Sequence, residues 1–154
     1  MRWIPSWLIN GLGRLSGKRA ASPSSRSAAV GKWGEDAATR FLEARGFRIV
    51  GRNLRPDRHD ELDLIARQGE WLVFVEVKTR KRDDFARPIR SIDRKKKHAL
   101  NRAAAAYLRT VHYPELYYRF DVVEVVGAPE SSDPPAITHT ENAFPFESRF
   151  RFPV

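Results

Sequence analysis

The chain has 154 residues and no cysteine, with 42% hydrophobic and 31% charged side chains. That length builds one domain with a real core, and the lack of thiols excludes disulfides and thiolate metal sites, so a metal held here is a hard, oxygen-bound ion. A formal charge of +9 and a pI near 10.3 point to nucleic acid or another polyanion as partner.

Residues 1–27 begin Met1-Arg2-Trp3-Ile4-Pro5-Ser6-Trp7-Leu8-Ile9 and then turn rich in Gly and Ser. Pro5, Ser6, Asn10 and Gly11 break the apolar run, which argues against a signal peptide, and no run of roughly eighteen apolar residues exists to span a membrane. The segment reads as a short, surface-seeking amphipathic piece followed by flexible linker through Ser27, and the chain as cytoplasmic. The folded domain is expected over 28–143, with a C-terminal tail over 144–154. Val30, Trp33, Ala37, Phe41 and Ala44 recur at helical spacing, and Gly46 is the stop. On that helix Glu35 shares a flank with Ala38 and Leu42, at the border of the buried stripe. Residues 47–53 alternate as a first strand, and the polar stretch 54–60, with Pro56, is a loop.

Glu61–Ala66 and Trp71–Lys78 read as strands two and three, joined by the turn Arg67-Gln68-Gly69-Glu70. The third strand is apolar along Val73, Val75 and Val77, as a central strand is. Residues 79–91 form a basic loop containing Pro88. A second helix starts near Asp93, which caps it, and runs to about Val111 with Leu100, Ala103, Tyr107 and Val111 inward. Tyr117–Val126 is another strand, and Ala136–Thr140 a short edge strand. No internal repeat is visible. The order predicts an α/β sandwich around a mixed sheet.

The hairpin carries the chemistry. Residues two apart in a strand share a face, and an even turn pairs odd positions of strand two with even positions of strand three. Asp63 then faces the same way as Glu76 and Lys78. Two carboxylates and an ammonium converging there can hold a divalent metal and position a water. The same residues also fit an ion-pair ladder on a half-exposed sheet. Glu61 lies one pair further out, beside the site rather than in it.

Between Lys78 and Arg102 there are eleven Lys and Arg against three Asp, so the excess charge follows directly on this pair. Arg80, Lys81 and Arg82, and then Lys95, Lys96 and Lys97 in the first turn of the second helix, are the candidate phosphate contacts. Cations at a helix N-terminus oppose the dipole at a cost of about 0.3–1 kcal/mol each. A bound phosphate reverses that sign. A merely solvated basic face is the competing reading. His59 could approach a phosphate or simply be solvated, while His98, His112 and His139 show no ligand spacing. Trp33, Trp71 and Tyr107 read as core.

At Glu61-Leu62-Asp63-Leu64-Ile65-Ala66 and Leu72-Val73-Phe74-Val75-Glu76-Val77-Lys78-Thr79-Arg80 the chain resembles the YraN-like proteins of bacteria, a family similar to archaeal Holliday-junction resolvases. Both belong to the restriction-endonuclease-like PD-(D/E)XK group. The likeness extends through Gly31-Lys32-Trp33-Gly34-Glu35-Asp36-Ala37-Ala38, Asn53-Leu54-Arg55, Lys96 with Leu100, Ala104-Ala105-Ala106-Tyr107-Leu108 and Arg119-Phe120-Asp121-Val122-Val123.

The resemblance implies a restriction-endonuclease-like mixed sheet flanked by helices. It makes Asp63 and Glu76 metal ligands, Lys78 the catalytic lysine, and Glu35 a further metal or outer contact. It also implies Mg²⁺ or Mn²⁺ as cofactor, structured DNA such as branched DNA as substrate, and a homodimer by analogy with the resolvases. One departure stands out: Asp60 occupies a position where the family has glycine, which adds an acid beside the site. The expected activity is metal-dependent hydrolysis of DNA phosphodiester bonds. A nuclease fold that binds nucleic acid without cutting it is the alternative. An adaptor meeting an acidic protein or a membrane through its basic face and Trp3 and Trp7 is a third reading.

Overall fold

Residues 23–82 and 92–150 are described by the computed structural model, and they form a five-stranded mixed sheet between two helices. In chain order these are α1 (Pro23–Glu43), β1 (Arg48–Leu54), β2 (Leu62–Gln68), β3 (Trp71–Arg80), α2 (Arg94–Thr110), β4 (Tyr117–Val126) and β5 (Ala136–Phe144), with a 3-10 turn over Ser148–Phe150. The strands lie side by side in sequence order. Three of the four pairings are antiparallel; β3 and β4 run parallel. A parallel pair needs a crossover, and α2 supplies it.

The hairpin turn is tighter than the four residues expected. Only Gly69 and Glu70 lie between the paired residues Gln68 and Trp71, and Gly69 takes a φ of +57°, which costs glycine little. Leu64 pairs with Val75 and Ile65 with Phe74, so the odd-with-even register holds. β3 is buried from Leu72 through Glu76. Leu72 and Phe74 pack with Ile65, Phe120 and Val122 beneath Leu100, Ala103, Tyr107 and Leu108 of α2. Val73 and Val75 face the opposite way, with Leu64, Ala66, Val123 and Val125, beneath Ala37, Ala38 and Leu42 of α1. Period-2 alternation in β3 therefore divides one sheet between two cores.

Several expectations shift. α1 as described covers Pro23–Glu43, so the helix reaches into the stretch read as linker. β3 continues through Arg80, two residues into the expected loop, and β5 runs on to Phe144. The segment set apart as a tail supplies core: the Phe144 ring stacks on Phe120 at 4.6 Å and Phe146 lies 4.4 Å from it. Trp71 is exposed rather than core, against Tyr117 at 5.1 Å and beneath the Arg119 guanidinium. The Trp3 and Trp7 segment, the stretch 83–91 with Pro88, and residues 151–154 lie outside the described residues. No helix among the described residues is long and apolar enough to cross a membrane.

A buried polar network fixes the β4–β5 edge. Asp121, fully buried, accepts two hydrogen bonds from Arg119 at 2.9 and 3.1 Å and one from the backbone N–H of Asn142 at 2.9 Å. Its Oδ2 also lies 2.8 Å from His139 Nε2. His139 in turn packs edge-on against Phe41 and Phe47. This histidine is part of the structural network, in keeping with its lack of ligand spacing.

Candidate active site

The β2–β3 ladder ends at the Leu64–Val75 pair, and there the strands part. Continued one step, the register sets Asp63 opposite Glu76. In the gap the Asp63 side chain replaces a backbone acceptor: its Oδ2 takes a hydrogen bond of 2.8 Å from the Val77 N–H. That bond orients one carboxylate at the mouth of the split. Glu76 is 4% exposed, yet it is a carboxylate at the end of an apolar strand. The Lys78 ammonium lies 3.0 Å from its Oε1, two residues along on the same face. Lys96, from the first turn of α2, stands 3.3 Å from Oε2. Lys96 is near enough for an ion pair but not aligned for a hydrogen bond, and Oε2 accepts none.

This environment raises the Asp63 pKa to about 7. Loss of water around the carboxylate is the main cause, and the negative charge of Glu76 the second; the Val77 hydrogen bond and Lys96 oppose them. The charge of Glu35 adds to the repulsion, so the helix glutamate lies within electrostatic reach of the pair.

Gly34 is what lets Glu35 come so close. A Cβ built at Gly34 would stand 1.9 Å from Thr79 Oγ1 and 3.0 Å from Thr79 Cβ, and rotating the side chain moves the oxygen but leaves the tight contact to Cβ. The next residue but one, Asp36, ties α1 to β1 through Arg52 at 2.5 Å and to Lys32 at 3.2 Å. The hydrogen bond from Arg52 is the main cause that holds the Asp36 carboxyl below its usual range. Gly34→Ala is therefore expected to push α1 away from β3 and to destabilise the fold by about 1–3 kcal/mol despite alanine's better helix propensity. Urea denaturation measures this; an unchanged midpoint would mean that α1 has room to spare.

The basic residues divide into those already engaged and those facing solvent. Arg80 pairs with the buried Glu124 at 2.8 Å, and Arg82 donates to the Pro134 carbonyl at 2.7 Å, while Lys81 is exposed. In α2, Asp93 caps the helix by accepting from the Lys96 N–H at 2.7 Å, as expected of an N-cap aspartate. Lys95 points to solvent, Lys97 lies 5.7 Å from the Phe144 ring, and Lys96 turns to Glu76.

Beside Lys95 and Lys97 a cleft of about 950 Å³ opens between α2 and the C-terminal segment, lined also by Arg94, His98 and Arg149. The carboxylate pair does not line it. Sequence reasoning misses Arg149 because it sits in the presumed tail. His59 is exposed, and its backbone N–H donates to Asp57. Glu61 pairs with Arg55 at 2.8 Å. Asp60, the departure from the family pattern, forms a two-bond clamp with Arg102 of α2 at 2.8 and 3.0 Å. It fastens the β1–β2 loop to the helix.

Among the described residues no three Asp, Glu or His side chains close into a finished metal cage. The preformed part is a pair, and its chemistry fits Mg²⁺ or Mn²⁺: both donors are hard carboxylate oxygens, and one buried oxygen accepts no hydrogen bond. A divalent cation held by the pair would offset both the desolvation and the mutual repulsion that lift Asp63.

A profile described as uncharacterised protein family UPF0102 matches residues 34–125. Among the relatives, a UPF0102 protein of Symbiobacterium thermophilum is 46% identical over 101 residues, covering 66% of this chain and 85% of the relative. One from Rhodococcus opacus is 39% identical over 116 residues, covering 75% and 96%. A third, from Dictyoglomus turgidum, is 37% identical over 101 residues, covering 66% and 85%. The matched span holds Glu35, Asp63, Glu76, Lys78 and Lys96, and ends before Arg149.

Proposed function

This chain belongs to the uncharacterised protein family UPF0102, and from the geometry of its carboxylate site we propose that it is a metal-dependent phosphodiesterase acting on DNA. The observation that carries this reading is Glu76, a buried carboxylate with one oxygen lacking any hydrogen bond, beside Lys78 and within electrostatic reach of Asp63. A surface ion-pair ladder has no need of such burial. Asp63 and Glu76 would hold Mg²⁺ or Mn²⁺, with Glu35 supporting them. The ion, when bound, would supply a Lewis acid that polarises the phosphoryl oxygen and lowers the pKa of a bound water.

The chain's own groups do the rest. The Val77 N–H keeps Asp63 in place, and the Lys78 ammonium orients the attacking water or stabilises charge gathering on the phosphoryl oxygens. The water gives up a proton to solvent, its oxygen bonds to phosphorus as a P–O ester bond breaks, and the departing oxygen takes up a proton from solvent, leaving a phosphomonoester and an alcohol. Lys81, Lys95 and Lys97 hold the backbone at phosphates without reading sequence. Structured DNA is the substrate class that the resemblance to resolvases favours. Incubation with linear, flapped and four-way DNA in Mg²⁺ and in Mn²⁺ tests the proposal. Cleavage of any substrate that EDTA stops supports it. Salt-sensitive binding with no cutting by either metal points instead to a binding module, a reading favoured by the two ammonium groups that already neutralise Glu76.

Lys95→Glu with Lys97→Glu is expected to weaken binding to all DNA sequences alike. It should also lower the slope of log K against log salt by roughly 0.9 for each duplex phosphate that is no longer neutralised. Fluorescence anisotropy across a salt series measures this, and an unchanged slope would move the phosphate grip to Lys81 and its neighbours.

A further inference from the structure

Lys96 occupies an unusual place for a helix residue. It is the third residue of α2, where a capping box puts Glu to reach back to the cap, and where a cation opposes the dipole. Its ammonium leaves the helix and stands 3.3 Å from Glu76 Oε2. The two cations on Glu76 are not held alike. Lys78 comes from the same strand, two residues away, and lies 3.0 Å from Oε1. Lys96 comes from another element, is half-exposed, and pairs with an oxygen that accepts no hydrogen bond.

A divalent cation at Asp63 and Glu76 meets the Lys96 charge at close range, where like charges repel strongly. The ammonium is on a flexible stem, and the helix N-terminus from which it springs is where phosphates are attracted.

We infer that Lys96 is a resident counter-cation of the carboxylate site, displaced when a divalent metal binds and thereby released to a phosphate of the nucleic acid. Metal loading then lets α2 engage one further phosphate, and an unloaded protein grips DNA less well. This inference rests on the phosphodiesterase reading for the metal and the substrate, but it assigns Lys96 a role distinct from the simple phosphate contacts of Lys95 and Lys97.

Calorimetric titration of the full-length protein with MnCl₂, without nucleic acid, separates the possibilities. Lys96→Met is expected to bind Mn²⁺ about tenfold more tightly than wild type, because the competing cation is gone. Arg94→Met, which removes an exposed charge from the same helical turn, is expected to change affinity by no more than about twofold because solvent and salt screen it. Lys96→Gln, neutral but still polar, should behave as Lys96→Met does, and thermal melts establish that each variant is folded.

In a second arm, binding to a DNA duplex is followed with EDTA and then with Ca²⁺, which carries the same charge. Ca²⁺ should steepen the wild-type salt dependence by roughly 0.9, the share of a single phosphate, and should not steepen that of Lys96→Met. Equal Mn²⁺ affinity in Lys96→Met and Arg94→Met, with wild type binding the metal, overturns the role of Lys96 alone. Absence of Mn²⁺ binding in wild type and in every variant overturns the metal reading and this inference with it.

Discussion

Asp63→Asn is expected to abolish metal-dependent cleavage and, in the same molecule, to make the metal-free protein more stable at pH 8. The two effects share one cause. Burial and the neighbouring Glu76 raise the Asp63 pKa to about 7, well above the 3.8 of a free aspartate. The folded protein thus holds a proton that the unfolded chain has already released in that window. Its contribution to stability is fully present below about pH 4 and is lost as pH rises to about 7. Above pH 7 the folded protein carries an ionised carboxylate in an unfavourable place.

An asparagine cannot ionise, and its amide oxygen can still accept from the Val77 N–H. The variant should therefore be more stable at pH 8 in EDTA by on the order of 2 kcal/mol, a figure reduced from the full shift because the carboxylate keeps a minor part of its surface in solvent. Thermal melts of both proteins from pH 4 to pH 8 should show a gap that opens as pH rises. Adding Mn²⁺ at pH 8 should raise the melting temperature of wild type more than that of the variant. Equal melting curves at all pH values would mean that Asp63 is not the strained member of the pair. Cleavage at the wild-type rate would remove it from the site.

Lys78→Ala best separates an enzyme from a binder. Its ammonium lies 3.0 Å from Glu76 Oε1 and is partly exposed, so it can face a bound phosphate while remaining beside the carboxylates. Loss of one such donor is expected to lower single-turnover cleavage by about 10²–10³-fold. Equilibrium DNA affinity should change only by what one of several phosphate-facing cations contributes. A variant that binds weakly but cleaves at the wild-type rate when saturated would make Lys78 a binding residue only. The Glu76→Gln variant should lose cleavage as Asp63→Asn does, since an amide is a poor ligand for a hard divalent ion.

What is legible in the sequence follows the physics of each signal. The register of β2 against β3 from Leu64 to Gln68 is a matter of parity, so it can be read from alternation and a turn of even length, and so can the shared face of Glu76 and Lys78. The start of α2 is legible because an aspartate before a helical run is a local, chemically specific cap. What happens beyond the last ladder pair is not. That Asp63 replaces a backbone acceptor for Val77 depends on where the strands part, which twist and packing decide. The Lys96–Glu76 pair joins residues on different elements, and among consecutive lysines nothing local marks which one turns inward. Phe144 and Phe146 flank a proline in a short aromatic segment with no period, so their burial has no sequence signature. Trp71 at the turn end of β3 is placed by the edge of the layer, where an aromatic can remain exposed beside Tyr117.

The division of the site among three elements has a consequence for the newly made chain. The β2–β3 hairpin is local and can form in about 1–10 μs, bringing Asp63 and Glu76 face to face at once. Lys96 leaves the ribosome twenty residues after Glu76, and β4, which covers the open edge of β3, comes later still. At about 5–20 residues per second the hairpin waits a second or more with its carboxylates repelling each other and one counter-cation missing. Translation thus delivers the acids before the scaffold that makes their proximity tolerable. An incomplete chain released before α2 therefore carries both acids without Lys96 and without the parallel β3–β4 pairing.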